Sequence, residues 1–350
     1  MKIGIITFHW ATNYGAVLQA YALQNYLIKT GNEVHIIDYV PATIALKQDT
    51  LAVLNCDFGF FKQKQQLKRF RRQYLKLTDN KYLSHMDLLN KEHDFDCIIA
   101  GSDQIWNESF TLHGEGKVTL SYYLDFAMDK VKRVGYAVSF GFAKPSNQYI
   151  DAVKEEIRKF SAISVREADG VNIVSTFGLK SVLVCDPTAL LEKADYLSVI
   201  GNRVTERSSV FAYILRENQV DAWNTAKYVG KVYKCDINIR RYVGSMEDWI
   251  AAIHDAKFVV TNSFHGVMIS LIMNTPFIAV TIKGSGMNSR ITTLLESVGL
   301  STRILETYSE GMIKAIMANE IDWESVNDKF QKLRYTGIKF LQDTLHDENL

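Results

Sequence analysis

The chain has 350 residues, more than one hydrophobic core usually organises, and its apolar content is enough for two. Its 40 basic and 39 acidic side chains leave a net charge of +1, which argues against a protein built on nucleic-acid electrostatics. Cys56, Cys97, Cys185 and Cys235 form no CxxC pair and no cluster with histidine, so neither a zinc centre nor a disulfide framework is indicated and reduced thiols are expected.

Lys2 to Phe8 reads as a strand, without the basic start, apolar core and small-residue cleavage site of a signal peptide. No apolar run has bilayer-spanning length, so a cytoplasmic protein is expected. Short apolar runs then recur with helical patterns between them. Strands are predicted at Ile3 to Phe8, Glu33 to Asp38, Cys97 to Ala100, Arg133 to Ser139, Ala162 to Val165 and Val182 to Val184. Such β-α-β alternation implies a mostly parallel sheet covered on both faces, a Rossmann-like half. A turn follows at Asp186-Pro187. A second series has strands predicted near Val210 to Ile214, Lys231 to Cys235, Phe258 to Thr261 and Phe277 to Thr281. The reading is an α/β protein of two Rossmann-like domains, residues 1–186 and 187–322, with a cleft between them. Residues 323–350 would add a helix with Trp323, Val326, Phe330, Leu333, Ile338 and Leu341 on one side.

Ligands of open parallel sheets sit beyond the strands' carboxyl ends, so the residues just after each strand carry the functional information. After the first strand come His9, Thr12, Asn13, Tyr14 and Gly15 and then a helix. The glycine admits close backbone approach, but no G-x-G-x-x-G supports dinucleotide binding. Between the second and third predicted strands, an insertion at about residues 42–92 holds a basic, acid-free stretch from Phe61 to Lys76. Its Leu67, Phe70 and Tyr74 have helical spacing, so it reads as an amphipathic helix whose basic face is either solvated or docked on an anionic membrane surface.

The third strand runs into Gly101-Ser102-Asp103-Gln104, followed by Trp106 and Asn107. Asp103, Gln104 and Asn107 offer groups suited to sugar hydroxyls, and Trp106 offers a face for a pyranose. The alternative is a capped helix with its tryptophan in the core. Ser139-Phe140-Gly141 makes another small polar turn, and Arg166 directly follows a strand. Downstream, Lys283 and Arg290 bracket a loop that leads into a helix. Arginine grips carboxylate or phosphate with two parallel bonds, yet an arginine alone is more often part of a structural ion pair.

The most informative segment is Val259 to Ser270, a buried strand that ends in small polar residues and restarts as a helix with His265 in its first turn. Backbone amides at such a helix start, around Ser263, Phe264 and Gly266, combine with a macrodipole of roughly half a positive charge to hold an anion. His265 would grip that anion or move a proton, because imidazole titrates near neutral pH. The plainer reading is a helix capped by Asn262 or Ser263 beside a core histidine.

Asn13 to Leu23, Gly101 to Asn107, Ser164 to Glu167, Asp186 to Thr188 and Thr261 to Gly266 occur in the order seen in the polysaccharide pyruvyl transferase family. The chain resembles that family from the first strand to about Arg303. The resemblance implies a GT-B-like fold with acceptor-side first and donor-side second domain, the C-terminal helix crossing back to the first. It implies transfer of pyruvate from phosphoenolpyruvate onto two sugar hydroxyls of a surface polysaccharide or exopolysaccharide, or of its lipid-linked precursor, leaving a cyclic ketal and phosphate. Phosphoenolpyruvate and a saccharide or lipid-linked glycan are then the partners, with no metal, cofactor or nucleic acid, at most at the inner face of the membrane. His265 matches the family's histidine after the second-domain strand and takes the role of general acid or phosphate stabiliser.

The donor set on this reading is Ser263, Phe264, Gly266, Arg290, Arg166 and Lys283. Asp103 holds or deprotonates the acceptor hydroxyl, and Asn13, Tyr14, Gly15, Gln104, Trp106 and Asn107 bind the acceptor. One departure stands out: better-studied branches carry arginine where this chain has Ser263. Two rivals remain, a GT-B glycosyltransferase using a sugar nucleotide and a non-catalytic glycan-binding or assembly protein, and the sequence leaves the oligomeric state open.

Overall fold

Continuously apolar strands such as Cys97–Ala100 and Phe277–Val280 can be buried only in a sheet covered on both faces, and that requirement sets the architecture. The computed structural model describes residues 1–203, 205–215, 219–239, 244–282 and 289–346. It divides into two units, one of residues 1–190 together with the chain from Arg334 on, the other Leu191–Leu333.

The first unit is built on β1 (Lys2–Ile6), β2 (Glu33–Tyr39), β3 (Leu77–Tyr82), β4 (Cys97–Ala100), β5 (Lys132–Val138), β6 (Ala162–Val165) and β7 (Val182–Leu183). These pair in the order β3-β2-β1-β4-β5-β6-β7, every pair parallel. The second unit has β8 (Ser209–Tyr213), β9 (Ile237–Ile239), β10 (Ala256–Thr261), β11 (Phe277–Val280) and β12 (Ile304–Leu305), in the parallel order β12-β11-β10-β8-β9. Strand order reverses between β1 and β4 in one sheet and between β8 and β10 in the other. Beyond the carboxyl ends of such neighbours the connecting helices diverge to opposite faces and leave a crevice.

Helix α1 (Tyr14–Lys29) starts where the Asn13 side chain accepts from the Ala16 amide at 3.2 Å. It is buried almost all round, so its polar residues need partners inside. Gln24 supplies one pair of bonds, donating to the Tyr74 carbonyl and accepting from the Lys76 amide. Those bonds anchor the middle of the insertion, whose first two helices are α2 (Ala42–Leu54) and α3 (Phe58–Tyr74). The last helix, Trp323–His346, belongs to the second unit up to Leu333 and to the first from Arg334. Arg334 donates to the Leu190 carbonyl at 3.0 and 3.2 Å, and Phe340 packs beside Tyr136.

Three strands differ from the sequence reading. β3 has no counterpart in the sequence reading, because an edge strand with the sequence Leu-Thr-Asp-Asn-Lys-Tyr has a single buried residue and needs no apolar run. β12 is only two residues long and carries no periodicity. The strand predicted at Lys231 to Cys235 is instead largely the end of a helix, Val220–Tyr233. That helix stops on Lys234 at φ 49°, a left-handed cap normally signalled by glycine, and β9 follows it.

Candidate functional site

In the first unit, four of the five motifs close into one hydrogen-bonded network at the carboxyl ends of the strands. Gln19 of α1 donates to Thr7 Oγ1 at 2.8 Å, and Thr7 donates to the Ser102 carbonyl at 2.8 Å. The Ser102 hydroxyl donates to Asp186 Oδ2. Arg166 Nη1 donates to the same Asp186 oxygen at 2.6 Å, and Nη2 donates to Asp103 Oδ1 at 3.2 Å. Asp186 Oδ1 accepts from both the amide and the hydroxyl of Thr188. Burial disfavours the Arg166 charge, but Asp186, Asp103 and Glu167 together outweigh it and hold the guanidinium above its ordinary pKa.

The turn after β4 is held under backbone strain. Asp103 sits at φ +79°, a region aspartate tolerates better than most residues, and its carbonyl accepts from the Ser139 amide. Gly141, at φ +72°, passes so close under Gln104 and Asn107 that an added Cβ would lie 2.5 Å from Gln104 Nε2. The Asn107 amide is spent within the turn, donating to the Phe140 carbonyl and accepting from the Ser109 amide. Asp103 Oδ1 takes Arg166 and the Gln104 amide, which leaves Oδ2 and the Gln104 side-chain amide without a hydrogen bond among the described residues.

In the second unit, β10 ends at Thr261, whose hydroxyl donates to the Tyr213 carbonyl at 2.6 Å and accepts from the Ser263 amide. Asn262 accepts from the Leu215 amide, so the ends of β8 and β10 are tied together where the strand order reverses. Ser263 caps the helix Phe264–Met273, and His265 is buried in its first turn. The Phe264 ring links two predicted residues. It meets the His265 ring edge-on at 5.1 Å, and the Arg290 guanidinium lies 5.9 Å from its centroid. An imidazole, a guanidinium and the positive end of a helix therefore share one switch point.

The structure corrects several sequence assignments. Arg166 cannot grip a donor, because its guanidinium is fully buried and committed to Asp186 and Asp103. Trp106 offers no platform to a sugar: its ring is buried, stacked on Tyr123 at 4.9 Å, and its Nε1 donates to the Tyr122 carbonyl. Tyr14 and Gly15 lie within the buried face of α1. The Gly266 amide donates to the Ser263 cap, and an added Cβ there would lie 2.5 Å from Thr261 Oγ1, so close packing accounts for this glycine. Lys283 lies outside the described residues.

Two further residues lie outside the predicted donor and acceptor sets. His9, behind β1, sits between the Thr7 carbonyl and Asp38 Oδ1. Arg71 of α3 donates to the carbonyls of His9, Trp10 and Ala11, and burial lowers its pKa to about 10. The β1–α1 loop is thus held by a cation from the insertion. A signal for His9 was available, since Asp38 lies at the end of the neighbouring strand; none marked Arg71 among the other basic residues of its helix.

Solved structures of similar architecture include UDP-GlcNAc 2-epimerase from Methanocaldococcus jannaschii, at 12% identity and TM-score 0.53, covering 96% of this chain and 100% of that one. Another is UDP-GlcNAc 2-epimerase from Neisseria meningitidis bound to UDP-GlcNAc, at 8% and 0.50, covering 97% and 100%. A third is Arabidopsis thaliana UGT89C1 complexed with UDP-L-rhamnose, at 8% and 0.55, covering 100% and 99%. At these identities the likeness is one of fold, and the fold is GT-B. No curated protein matches the sequence. The model of the polysaccharide pyruvyl transferase family matches residues 13–284, a span that holds all five motifs and the switch point of the second unit, and the chain belongs to that family.

Proposed function

We propose that the protein transfers pyruvate from phosphoenolpyruvate onto two hydroxyls of one sugar, in a surface polysaccharide or its lipid-linked precursor, closing a cyclic ketal and releasing phosphate. Family membership supports pyruvyl transfer to a polysaccharide. The observation that carries the choice of donor is the grouping of His265, Phe264 and Arg290 at a helix N-terminus. Phosphoenolpyruvate presents a phosphate and a carboxylate on one small skeleton. A guanidinium beside the positive end of a helix suits such a pair of anions.

The chemistry then assigns the roles. A sugar hydroxyl oxygen bonds to C2 of the enol phosphate while C3 takes a proton from protonated His265 and becomes a methyl group. The hydroxyl's own proton leaves to a general base or to solvent. The second hydroxyl then bonds to C2 as the C2–O bond to phosphate breaks, and phosphate departs with the electron pair and takes up the proton. Arg290 and the helix end stabilise the charge that collects on the leaving group.

Calorimetric titration tests the donor. Saturable phosphoenolpyruvate binding that disappears in His265→Ala is the expected result. Binding of a uridine diphosphate sugar with no response to phosphoenolpyruvate would transfer the site to glycosyl transfer, the reading that the plant enzyme's UDP-L-rhamnose complex brings forward. No binding of either at millimolar concentration would favour a glycan-binding protein, the reading to which Ser263 in place of the family arginine points.

A further inference from the structure

Helix α2 breaks the rule that an apolar helix is a buried one. Eight of its 13 residues are apolar, yet Ala52 alone is buried. Leu46, Leu51, Val53 and Leu54, together with Phe58 at the start of α3, are between 50% and 82% exposed. Leu51 and Val53 lie about 200° apart around the helix, so the exposed apolar groups are not one stripe. A groove on a protein partner accepts a single stripe. A fluid apolar phase surrounds a tip on all sides.

Helix α3 supplies the charge. It carries Lys62, Lys64, Lys68, Arg69, Arg71 and Arg72 and no acid. Gln63, Leu67 and Phe70 form its buried side. Phe58, Lys62, Gln65, Arg69 and Arg72, spaced by four, three, four and three residues, form an exposed ridge on the opposite side. Lys64 is paired with Asp49 of α2 at 2.5 Å, which fastens the two helices to each other. Arg71 is turned to the β1–α1 loop. Lys62, Lys68, Arg69 and Arg72 are left exposed, with no ion pair among the described residues.

We propose that the α2–α3 hairpin docks the protein on an anionic bilayer surface. Leu51, Val53, Leu54 and Phe58 enter the boundary between headgroups and acyl chains, and Lys62, Lys68, Arg69 and Arg72 face the lipid phosphates. Large exposed apolar area rimmed by one sign of charge is what such a surface complements. The inference does not rest on the donor assigned above.

Flotation of the full-length protein with vesicles tests it, comparing pure phosphatidylcholine with an equal mixture of phosphatidylcholine and phosphatidylglycerol. Wild type is expected to float with the mixed vesicles only, and less so as salt is raised. The triple variant Lys62→Gln/Arg69→Gln/Arg72→Gln should partition about 10²-fold more weakly, each basic side chain contributing roughly a factor of five. Leu54→Ser/Phe58→Ser should lose at least about tenfold. All five positions are exposed, so an unchanged melting curve verifies that the variants fold. Wild type failing to float, or either variant floating as well as wild type, overturns the proposal. So does self-association in solution that the same substitutions abolish without any vesicle binding, which would make the hairpin an interface between copies of this chain.

Discussion

Replacing Arg166 by leucine separates a structural role from a donor-binding one. Asp186 is fully buried and takes its charge-assisted bond from Arg166 Nη1 at 2.6 Å, and Asp103 loses its ion pair with Arg166 at the same time. Removing one partner of a buried pair costs about 3–5 kcal/mol, because the other charge stays behind uncompensated. For a unit of roughly 200 residues each kcal/mol lowers Tm by about 2–4 °C, so a fall of about 6–20 °C is expected. Differential scanning calorimetry reads it directly. Arg166→Lys keeps the charge but not the fork that spans two carboxylates, and should fall between wild type and Arg166→Leu. Adding Asp186→Leu to Arg166→Leu should recover part of the loss, since the stranded carboxylate is gone. A melting temperature within about 2 °C of wild type, joined to a raised KM for phosphoenolpyruvate, would refute the reasoning and return Arg166 to the donor site.

Gly266→Ala should destabilise the second unit by about 1–3 kcal/mol in chemical denaturation, because its Cβ would press on Thr261 Oγ1, which already serves Tyr213 and Ser263. His93, buried between Tyr82 and Phe126, has its pKa lowered below the ordinary 6.5 by burial, only partly offset by its bond to the Leu88 carbonyl. The unfolded chain therefore takes up the proton first, and stability is lost as pH falls through and below the unfolded value; His93→Phe should flatten the acid side of a Tm-against-pH curve. Burial pushes the thiols of Cys97 and Cys185 up to about 12, whereas Cys56 is exposed. Iodoacetamide at mildly alkaline pH should alkylate Cys56 in the folded protein and reach the other two only on unfolding, as peptide mapping would show.

The architecture was legible wherever local spacing decides it. A run such as Val259 to Thr261 followed by small polar residues and a helical pattern is a strand, a turn and a helix on any chain, and the capped helix bearing His265 follows from Ser263 and the residues after it. β9 was displaced because its signal was negative: Lys234 adopts the left-handed cap without announcing it, and the helix before it ends in residues that pass for a strand. Side-chain commitments were less legible, since they depend on residues remote in sequence. Arg166 follows a strand just as a ligand-binding arginine would, and what settles its role is Asp186, 20 residues on, and Asp103, 63 residues back. Trp106 likewise reads as a sugar platform until Tyr123 covers its face. The proximity of Arg290 to Phe264 across 26 residues could be named as a need, since an anionic donor requires a cation, but spacing alone could not supply the contact.

The most direct measurement is the mass of the sugar product. The full-length protein, incubated with phosphoenolpyruvate and a panel of lipid-linked or nitrophenyl glycosides, should yield a species heavier by one pyruvyl group, with phosphate released in equal amount and acid treatment restoring the starting sugar. His265→Ala should make that product about 10²-fold more slowly or worse, at unchanged melting temperature. Pyruvylation by His265→Ala at the wild-type rate would contradict the assignment of His265, and transfer of a sugar from a nucleotide donor in place of pyruvate would contradict the account as a whole.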